Sequence, residues 1–363
     1  MIHIAIGTKA QFIKMAPVMQ RLKERGIKFN LIDLGQHSLI TSELRKEFEL
    51  DGPSVVLSKG ENASSILKIF MWLKDVLFKS LSYKRIRKEI FLDTSGVCLI
   101  HGEPLSSLIA LYLAKRAKLK VAHIESGLFS FNYFNPFPEE IIRNLIVRWS
   151  DILFAPSSWA FENLRKIGCE KKSVLLSANT SFEATAYTLS KGSELKLDFE
   201  KYVLVTFHRA ENIFRKKRLK LLIGLIREVA KRFPVIFIQD PPTVNLLKRF
   251  HLNEEIDKLD NINCLSVVSH SEFLHLLKNC EFIISDGGSI QEESFYLDKP
   301  CLLMRNHTER MEGLGENVVL SKFSPEEISI FLDNYKNFKR KTPQDAKCRP
   351  SQEIVDYILA KQY

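Results

Sequence analysis

Ser285-Asp286-Gly287-Gly288-Ser289-Ile290-Gln291-Glu292-Glu293 is the junction on which the reading of this chain turns. The run 280–284 before it is short and apolar, as in a buried strand. The residues after it, 291–296, read as a helix carrying two acids in its first turn. A strand that feeds a Gly/Ser loop into a helix points bare backbone N–H groups outward at the positive end of the helix dipole, a ready site for an anion. Gly287 and Gly288 would let a diphosphate approach the backbone where a Cβ would block it. Carboxylates repel phosphates, so Glu292 or Glu293 better suits a ribose diol. The alternative is a tight turn whose acids merely complement the dipole.

The surroundings decide between these. In the second half, 202–206, 235–239, 263–267 and 282–285 read as strands, with helices at 217–233 and 271–279. In the first half, strands are expected at 3–7, 29–34, 97–100 and 120–124, with 152–155 as the last. Helices are expected at 17–25, closed by Gly26, and at 105–116. This alternation predicts an α/β protein with two parallel sheets, each covered by helices on both faces and binding ligands at the carboxyl ends of its strands. The expected domains are 1–170 and 171–341, facing each other across a cleft, with 192–200 as a plausible linker region. A tail, 342–363, should pack back through a helix at 351–361.

Composition narrows the class. The chain has 363 residues, 45% hydrophobic and 26% charged, as in a soluble globular protein of two ordinary domains. No apolar run is long enough to span a bilayer. The opening Met1-Ile2-His3-Ile4-Ala5-Ile6-Gly7 reads as a strand rather than a signal peptide. Cys98, Cys169, Cys264, Cys280, Cys301 and Cys348 form no CxxC pair. The apolar settings of Cys98, Cys264, Cys280 and Cys301 suggest reduced core thiols in the cytoplasm. A formal charge of +10 suits an anionic partner, and the absence of a helix-turn-helix or aromatic-basic platform argues against nucleic acid. The segment 66–81 carries two apolar helical stripes, followed by Lys84, Arg85, Arg87 and Lys88. It reads as a helix buried in the fold or as one resting on an anionic membrane at the inner face of the cell.

Candidate chemistry lies at the predicted strand ends. Glu103 follows one strand and Glu125 the next; Glu139 and Arg143 share a helix face one turn apart. His208 and Arg209 follow the first strand of the second half. Carboxylates gathered near one imidazole can serve as both proton donor and acceptor. Lys9 and Lys14, in the first strand–helix loop, suit a diphosphate. Arg310 could serve a sugar or phosphate, or pair with Glu309.

These segments, in order, resemble the non-hydrolysing UDP-N-acetylglucosamine 2-epimerase family. Gly7-Thr8-Lys9-Ala10-Gln11-Phe12-Ile13-Lys14-Met15-Ala16-Pro17 is similar to its opening G-T-R-P-E-x-I-K-M-A-P. His101-Gly102-Glu103 stands at H-G-D, and His123-Ile124-Glu125-Ser126-Gly127-Leu128 at H-V-E-A-G-L. Residues 136–143 fall on P-[FW]-P-E-E-x-N-R, 207–212 on H-R-R-E-N, 285–293 on S-D-S-G-G-I-Q-E-E and 308–312 on T-E-R-P-E. The resemblance implies the two-Rossmann-domain GT-B fold and UDP held by the second domain, through Asp286, Gly287, Gly288, Ser289 and Arg310, with Glu293 at the ribose. It implies no NAD, no metal and commonly a homodimer. It implies that the C2 proton leaves as UDP is eliminated, through a glycal, with Glu103, Glu125, Glu139 and His208 as acid–base candidates.

Departures from the pattern fall on the motifs themselves. Lys9 replaces an arginine, losing its bidentate fork. Ala10 stands for a proline, Gln11 for a glutamate and Glu103 for an aspartate, moving that carboxylate by ~1 Å or more. Phe129 and Ile142 replace an arginine and an asparagine, and Gln239 opens a segment that usually reads H-x-N-P. The expected function is C2 epimerisation of a UDP-N-acetylated hexosamine for surface polysaccharide, its sugar plain or modified as a uronic acid or diacetamido sugar. The alternatives are a glycosyltransferase working on a lipid-linked or glycan acceptor and a UDP-sugar sensor.

Overall fold

The computed structural model describes residues 1–35, 41–57, 82–131, 139–192, 200–341 and 343–361. The chain forms two compact units, Met1–Ala184 together with Ala346–Tyr363, and Thr185–Asp345. In the first, seven parallel strands are ordered β3-β2-β1-β4-β5-β6-β7. They are β1 (Ile2–Ile6), β2 (Phe29–Asp33), β3 (Val55–Val56), β4 (Val97–His101), β5 (Lys120–Ile124), β6 (Ile152–Ala155) and β7 (Ser173–Leu175). In the second, six parallel strands are ordered β10-β9-β8-β11-β12-β13. They are β8 (Val203–Thr206), β9 (Val235–Gln239), β10 (Ile262–Ser266), β11 (Ile283–Ser285), β12 (Cys301–Leu303) and β13 (Val318–Leu320).

The central strands are mainly apolar because helices cover both sides of each sheet, with only His3 in β1 and His101 in β4 as buried polar residues of those two strands. Every residue of β1, β4 and β8 is buried. The helix Lys216–Ala230 lays Leu219, Leu222, Ile223, Ile226 and Val229 into a core shared with Phe237, Phe282 and Phe331. That spacing follows one stripe of a 3.6-residue helix. No helix among the described residues is long and apolar enough to cross a membrane.

Several expectations needed correction. The strand at 152–155 is not the last of its sheet, because β7 pairs with β6 through Leu153↔Ser173 and Phe154↔Val174. With three half-exposed or exposed residues at the sheet edge, β7 carries no apolar run to announce it. The first unit therefore runs past 170. It also takes in the C-terminal helix Pro350–Ala360, which packs on the helix Lys9–Glu24. Arg25 reaches Asp356 at 2.5 Å, and the Ser351 amide and hydroxyl donate to Glu183 at 2.7 and 2.9 Å. The short strands β3, β12 and β13 also escaped the pattern.

The first helix begins at Lys9 rather than at Pro17, because Thr8 and Gln11 form a capping box that starts it two turns earlier. Pro17 lies inside that helix. Cys264 is exposed on the edge strand β10, whereas Cys98, Cys280 and Cys301 are buried; all six thiols are free. The stretch 66–81 and the expected linker 193–199 lie outside the described residues.

Gly127, just past β5, has φ +92°, and a Cβ there would stand 2.2 Å from the backbone oxygen of Ala160 in the helix Ser158–Lys166. Asn163 of that helix donates to the Gly127 carbonyl at 2.9 Å. The loop after β5 is thus pressed onto a helix at a position that only glycine fits. Gly127→Ala should lower the unfolding free energy by about 2–4 kcal/mol, as a strained and clashing site does, read from urea denaturation curves.

Candidate functional site

In each sheet the strand order reverses once, between β1 and β4 and between β8 and β11. Loops leaving adjacent strands there diverge to opposite faces and open a crevice at the carboxyl ends, where ligands of such sheets bind. Lys9 and Lys14, expected in the loop after β1, lie in the helix Lys9–Glu24 that follows it, while the loops after β4 and β5 carry Glu103 and Glu125. Those after β8 and β11 bring together His208, Arg209 and the 286–289 turn.

In the first unit, Glu125 is buried and non-glycine yet has φ +67°. That conformation costs of order 1 kcal/mol and survives only if its surroundings hold it. They do: Lys14 Nζ donates to Glu125 Oε1 at 2.6 Å and Asn179 Nδ2 to the same oxygen at 2.8 Å. His101 Nδ1 lies 3.6 Å from Oε2. Glu103 is partly exposed and meets Arg143 Nη2 at 3.0 Å; Arg143, fully buried, also pairs with Glu140. Glu140 in turn accepts from the amides of Ser130 at 3.2 Å and Phe131 at 3.0 Å. Arg143 therefore faces Glu103 and Glu140 rather than Glu139. Glu139 is half-buried, with an Oε2 that is shielded from solvent and has no hydrogen-bond partner among the described residues.

His123 and Gln11 tie these loops together. His123 Nε2 lies 2.9 Å from the Gly102 carbonyl, and the Ser126 hydroxyl stands 2.6 Å from Nδ1. One imidazole thus bridges the turn bearing Glu103 and the turn bearing Glu125. Burial pushes the His123 pKa down to about 4, so it stays neutral, donating through Nε2 and accepting at Nδ1. Gln11 Oε1 accepts from the Gly7 amide at 2.9 Å and the Ser106 hydroxyl at 3.0 Å, while Nε2 donates to the His101 carbonyl at 2.8 Å and Ser107 Oγ at 2.7 Å. The position needs a donor as well as an acceptor, which an amide has and a carboxylate lacks. The glutamine is structural, holding the ends of β1 and β4 together. Lys9 is half-buried, with no side-chain partner among the described residues.

In the second unit, Asp286 is fully buried and turned onto its own chain. It accepts from the amides of His208 and Arg209, both at 3.1 Å, and from Asn212 Nδ2 at 2.9 Å. It clasps the β8 and β11 loops together. Gly287 and Gly288 also serve the protein's own packing. Added Cβ atoms would stand 2.9 Å from His208 Cε1 and 2.9 Å from Arg310 Nε respectively. The helix Gly288–Tyr296 has no side-chain cap, so no capping side chain takes up its first amides at the positive end of its dipole. Glu292 is buried against Arg310, and Gln291 Nε2 holds the 308–312 loop through the carbonyls of Arg310 at 3.1 Å and Glu312 at 3.0 Å. Glu309 pairs with Arg305 at 3.0 Å and faces Arg209 at 3.6 Å. Burial lowers the Arg305 pKa, and the Glu309 carboxylate opposes that.

Glu293 had no expected protein partner, yet His270 Nε2 lies 3.1 Å from its Oε1, with Thr188 Oγ1 3.3 Å from the other ring nitrogen. His270, Asn179 and Arg305 were missed from sequence. Only the position of His270 at a capping box after β10 could have singled it out. Ser289, beside the uncapped amides, is half-buried. Among the described residues no three His, Cys, Asp or Glu side chains stand where they could hold a metal.

Gln11→Glu should lower the unfolding free energy by about 1–3 kcal/mol, the cost of facing a carbonyl with an acceptor, again by urea denaturation. His3, like His123, is held near pKa 4 by burial, against 6.5 when exposed. Between those values the unfolded chain binds protons that the native one refuses, so stability should fall as pH drops from 6.5 to 4. The slope should be at most about 1.4 kcal/mol per pH unit per histidine. His123→Gln, whose amide can still donate to Gly102, should remove about half of that acid sensitivity, measured between pH 5 and 7.

Comparison with known proteins bears on these sites. The family model described as UDP-N-acetylglucosamine 2-epimerase matches residues 20–357. The UDP-N-acetylglucosamine 2-epimerase of Methanocaldococcus jannaschii is 30% identical over 93% of this chain and 94% of its own. The crystal structure of the UDP-GlcNAc 2-epimerase of that organism, in complex with UDP-GlcNAc and UDP, superposes with a TM-score of 0.85 at 28% identity, covering 99% of each chain. A UDP-2,3-diacetamido-2,3-dideoxy-D-glucuronate 2-epimerase of Pseudomonas aeruginosa is 27% identical over 87% of this chain and 86% of its own. With that match over most of its length and the GT-B arrangement of two parallel α/β sheets, the chain belongs to the UDP-N-acetylglucosamine 2-epimerase family.

Proposed function

We propose that the protein epimerises C2 of a UDP-N-acetylated hexosamine by eliminating and re-adding UDP. One observation carries the reading: Glu103 and Glu125 leave adjacent strands, each beside a buried cation, Arg143 at 3.0 Å and Lys14 at 2.6 Å. Inversion at carbon needs one group to take a proton and another to return it from the opposite face, so it calls for more than one placed carboxylate. In this scheme a base removes the C2 proton. The C2–H electron pair becomes the C1=C2 bond of a glycal, and the C1–O bond breaks with its electrons leaving on UDP. UDP then adds back at C1 as a second acid protonates C2 from the other side.

Glu103, Glu125, Glu139 and His208 are the proton-handling groups of this scheme. Lys9, Lys14, Arg209, Arg310 and the amides at Gly287, Gly288 and Ser289 suit the diphosphate, whose charge grows as it leaves. Glu293, steadied by His270, suits the ribose diol. Asp286 and Arg143 act through the loops that they hold. The transferase alternative is not favoured by the epimerase relatives. The Pseudomonas relative supports including diacetamido uronic sugars among the substrates to be tried.

We also propose action at the inner face of the cell membrane, in supply of surface polysaccharide. Lys84, Arg85 and Lys88 are exposed over the buried Ile86 and Ile90, as on a helix that presents charge outward, although Arg85 is bonded to Glu89 at 2.9 Å.

The decisive experiment follows H2 of UDP-N-acetylglucosamine by NMR in D2O. Loss of the H2 signal with a manno-configured product is expected. Failure to exchange this sugar and the UDP-diacetamido uronate, with UDP still bound, would refute the epimerase reading. Glu139→Gln should abolish exchange while UDP affinity by calorimetry stays within about threefold of the parent, the loss falling on chemistry rather than binding; unchanged exchange would remove Glu139 from the mechanism.

A further inference from the structure

Phe214 is 62% exposed, the most exposed large apolar side chain among the described residues. It leads into Arg215-Lys216-Lys217-Arg218-Leu219-Lys220-Leu221, and no acid occurs between Glu211 and Glu228. These cations crowd the start of the helix Lys216–Ala230, which has no acid in its first turn and no side-chain cap. A helix N-terminus is positive, so its own dipole disfavours them there. Leu219, Leu222, Ile223 and Ile226 point into the core. Lys217, Lys220 and the 41%-exposed Leu221 are left on the outward side.

Neighbouring groups do little to relieve the charge. Among the described residues, no acid is ion-paired with Arg215, Lys216, Lys217 or Lys220, and Arg215 repels Arg218. Arg218 lies over Phe323, 3.4 Å from its ring centroid, and the nearby Glu211 carboxylate only partly offsets the effects of burial and of Arg215 on it. A segment this unfavourable to its own helix, with an aromatic ring held in water beside it, is suited to a surface that is both anionic and apolar.

We propose that 214–221 docks the protein on an anionic lipid surface, with Phe214 and Leu221 entering the headgroup boundary and Arg215, Lys216, Lys217 and Lys220 facing the phosphates. A soluble polyanion would satisfy the cations but give Phe214 nothing to bury against. A second copy of this segment would set like charges face to face. The net charge of +10 has the sign needed to draw the chain to such a surface. This patch is separate from 84–88 and stands on its own observations.

The test is flotation of the full chain with vesicles of phosphatidylglycerol and phosphatidylcholine in equal parts, against phosphatidylcholine alone. Binding should need the anionic lipid and fall steeply with salt. Each cation is worth about fivefold near such a surface, so Arg215/Lys216/Lys217/Lys220→Ser should lose about two orders of magnitude or more. Phe214→Ser should lose about tenfold. The four-cation variant should melt no lower than the parent, since it relieves the helix end, and C2 exchange should be unchanged in solution. Equal binding to phosphatidylcholine alone, or parent-like binding by the four-cation variant, would overturn the proposal. So would loss of binding through Lys84/Arg85/Arg87/Lys88→Ser alone, or no flotation together with equal affinity of parent and Phe214→Ser for inorganic polyphosphate.

Discussion

Lys14 and Glu125 meet at 2.6 Å with both side chains buried, and much of the carboxyl edge of the first sheet is arranged around that pair. Removing one partner of a buried pair leaves an uncompensated charge, at a cost of about 3–5 kcal/mol. The pair is therefore kept only where other segments supply its remaining hydrogen bonds. Asn179 supplies one from beyond the last strand of the sheet, and His101 lies close to the other oxygen. The left-handed backbone at Glu125, just past β5, is the local consequence, since it turns the carboxylate towards a lysine on the helix Lys9–Glu24.

The same logic governs the second unit with the signs rearranged. Asp286 is buried at the end of β11 and takes its donors from the loop after β8, so two strands adjacent in space but far apart in sequence are locked at their ends. Next to that clasp the chain has no room for side chains. His208 and Arg310 lie where Cβ atoms of Gly287 and Gly288 would stand. The glycines thus bring an imidazole and a guanidinium against the uncapped start of a helix. The Arg310 guanidinium and the positive end of that helix are what make the turn suitable for an anion.

Departures from the family pattern acquire physical meaning in this setting. Gln11 is a hub that must donate and accept, and its amide fits the carbonyl and hydroxyl it faces. Glu103, one methylene longer than an aspartate, has its carboxylate beside Arg143, which is shared with Glu140. Phe129 and Ile142 are buried in apolar clusters. The Gln239 side chain donates to the Cys264 thiol at 3.4 Å.

The alternation of apolar runs with helical stripes was enough, by itself, to determine two parallel α/β sheets. It marked the strand ends on which Glu103, Glu125, His208 and the 286–289 turn lie. These features are local: a strand buried on both faces is mainly apolar, and the loop after it lies at the edge where ligands of such sheets bind. What only the tertiary structure decided is pairing. That Asp286 clasps the backbone of the β8 loop, that Arg143 turns to Glu140 and Glu103, and that His270 steadies Glu293 depend on partners up to 78 residues away along the chain. The edge strand β7 escaped for the same reason, whereas the return of the last helix was expected but not its meeting with the helix Lys9–Glu24. Each is held by contacts between distant segments, and sequence periodicity records only which side of an element faces inward, not what it meets there.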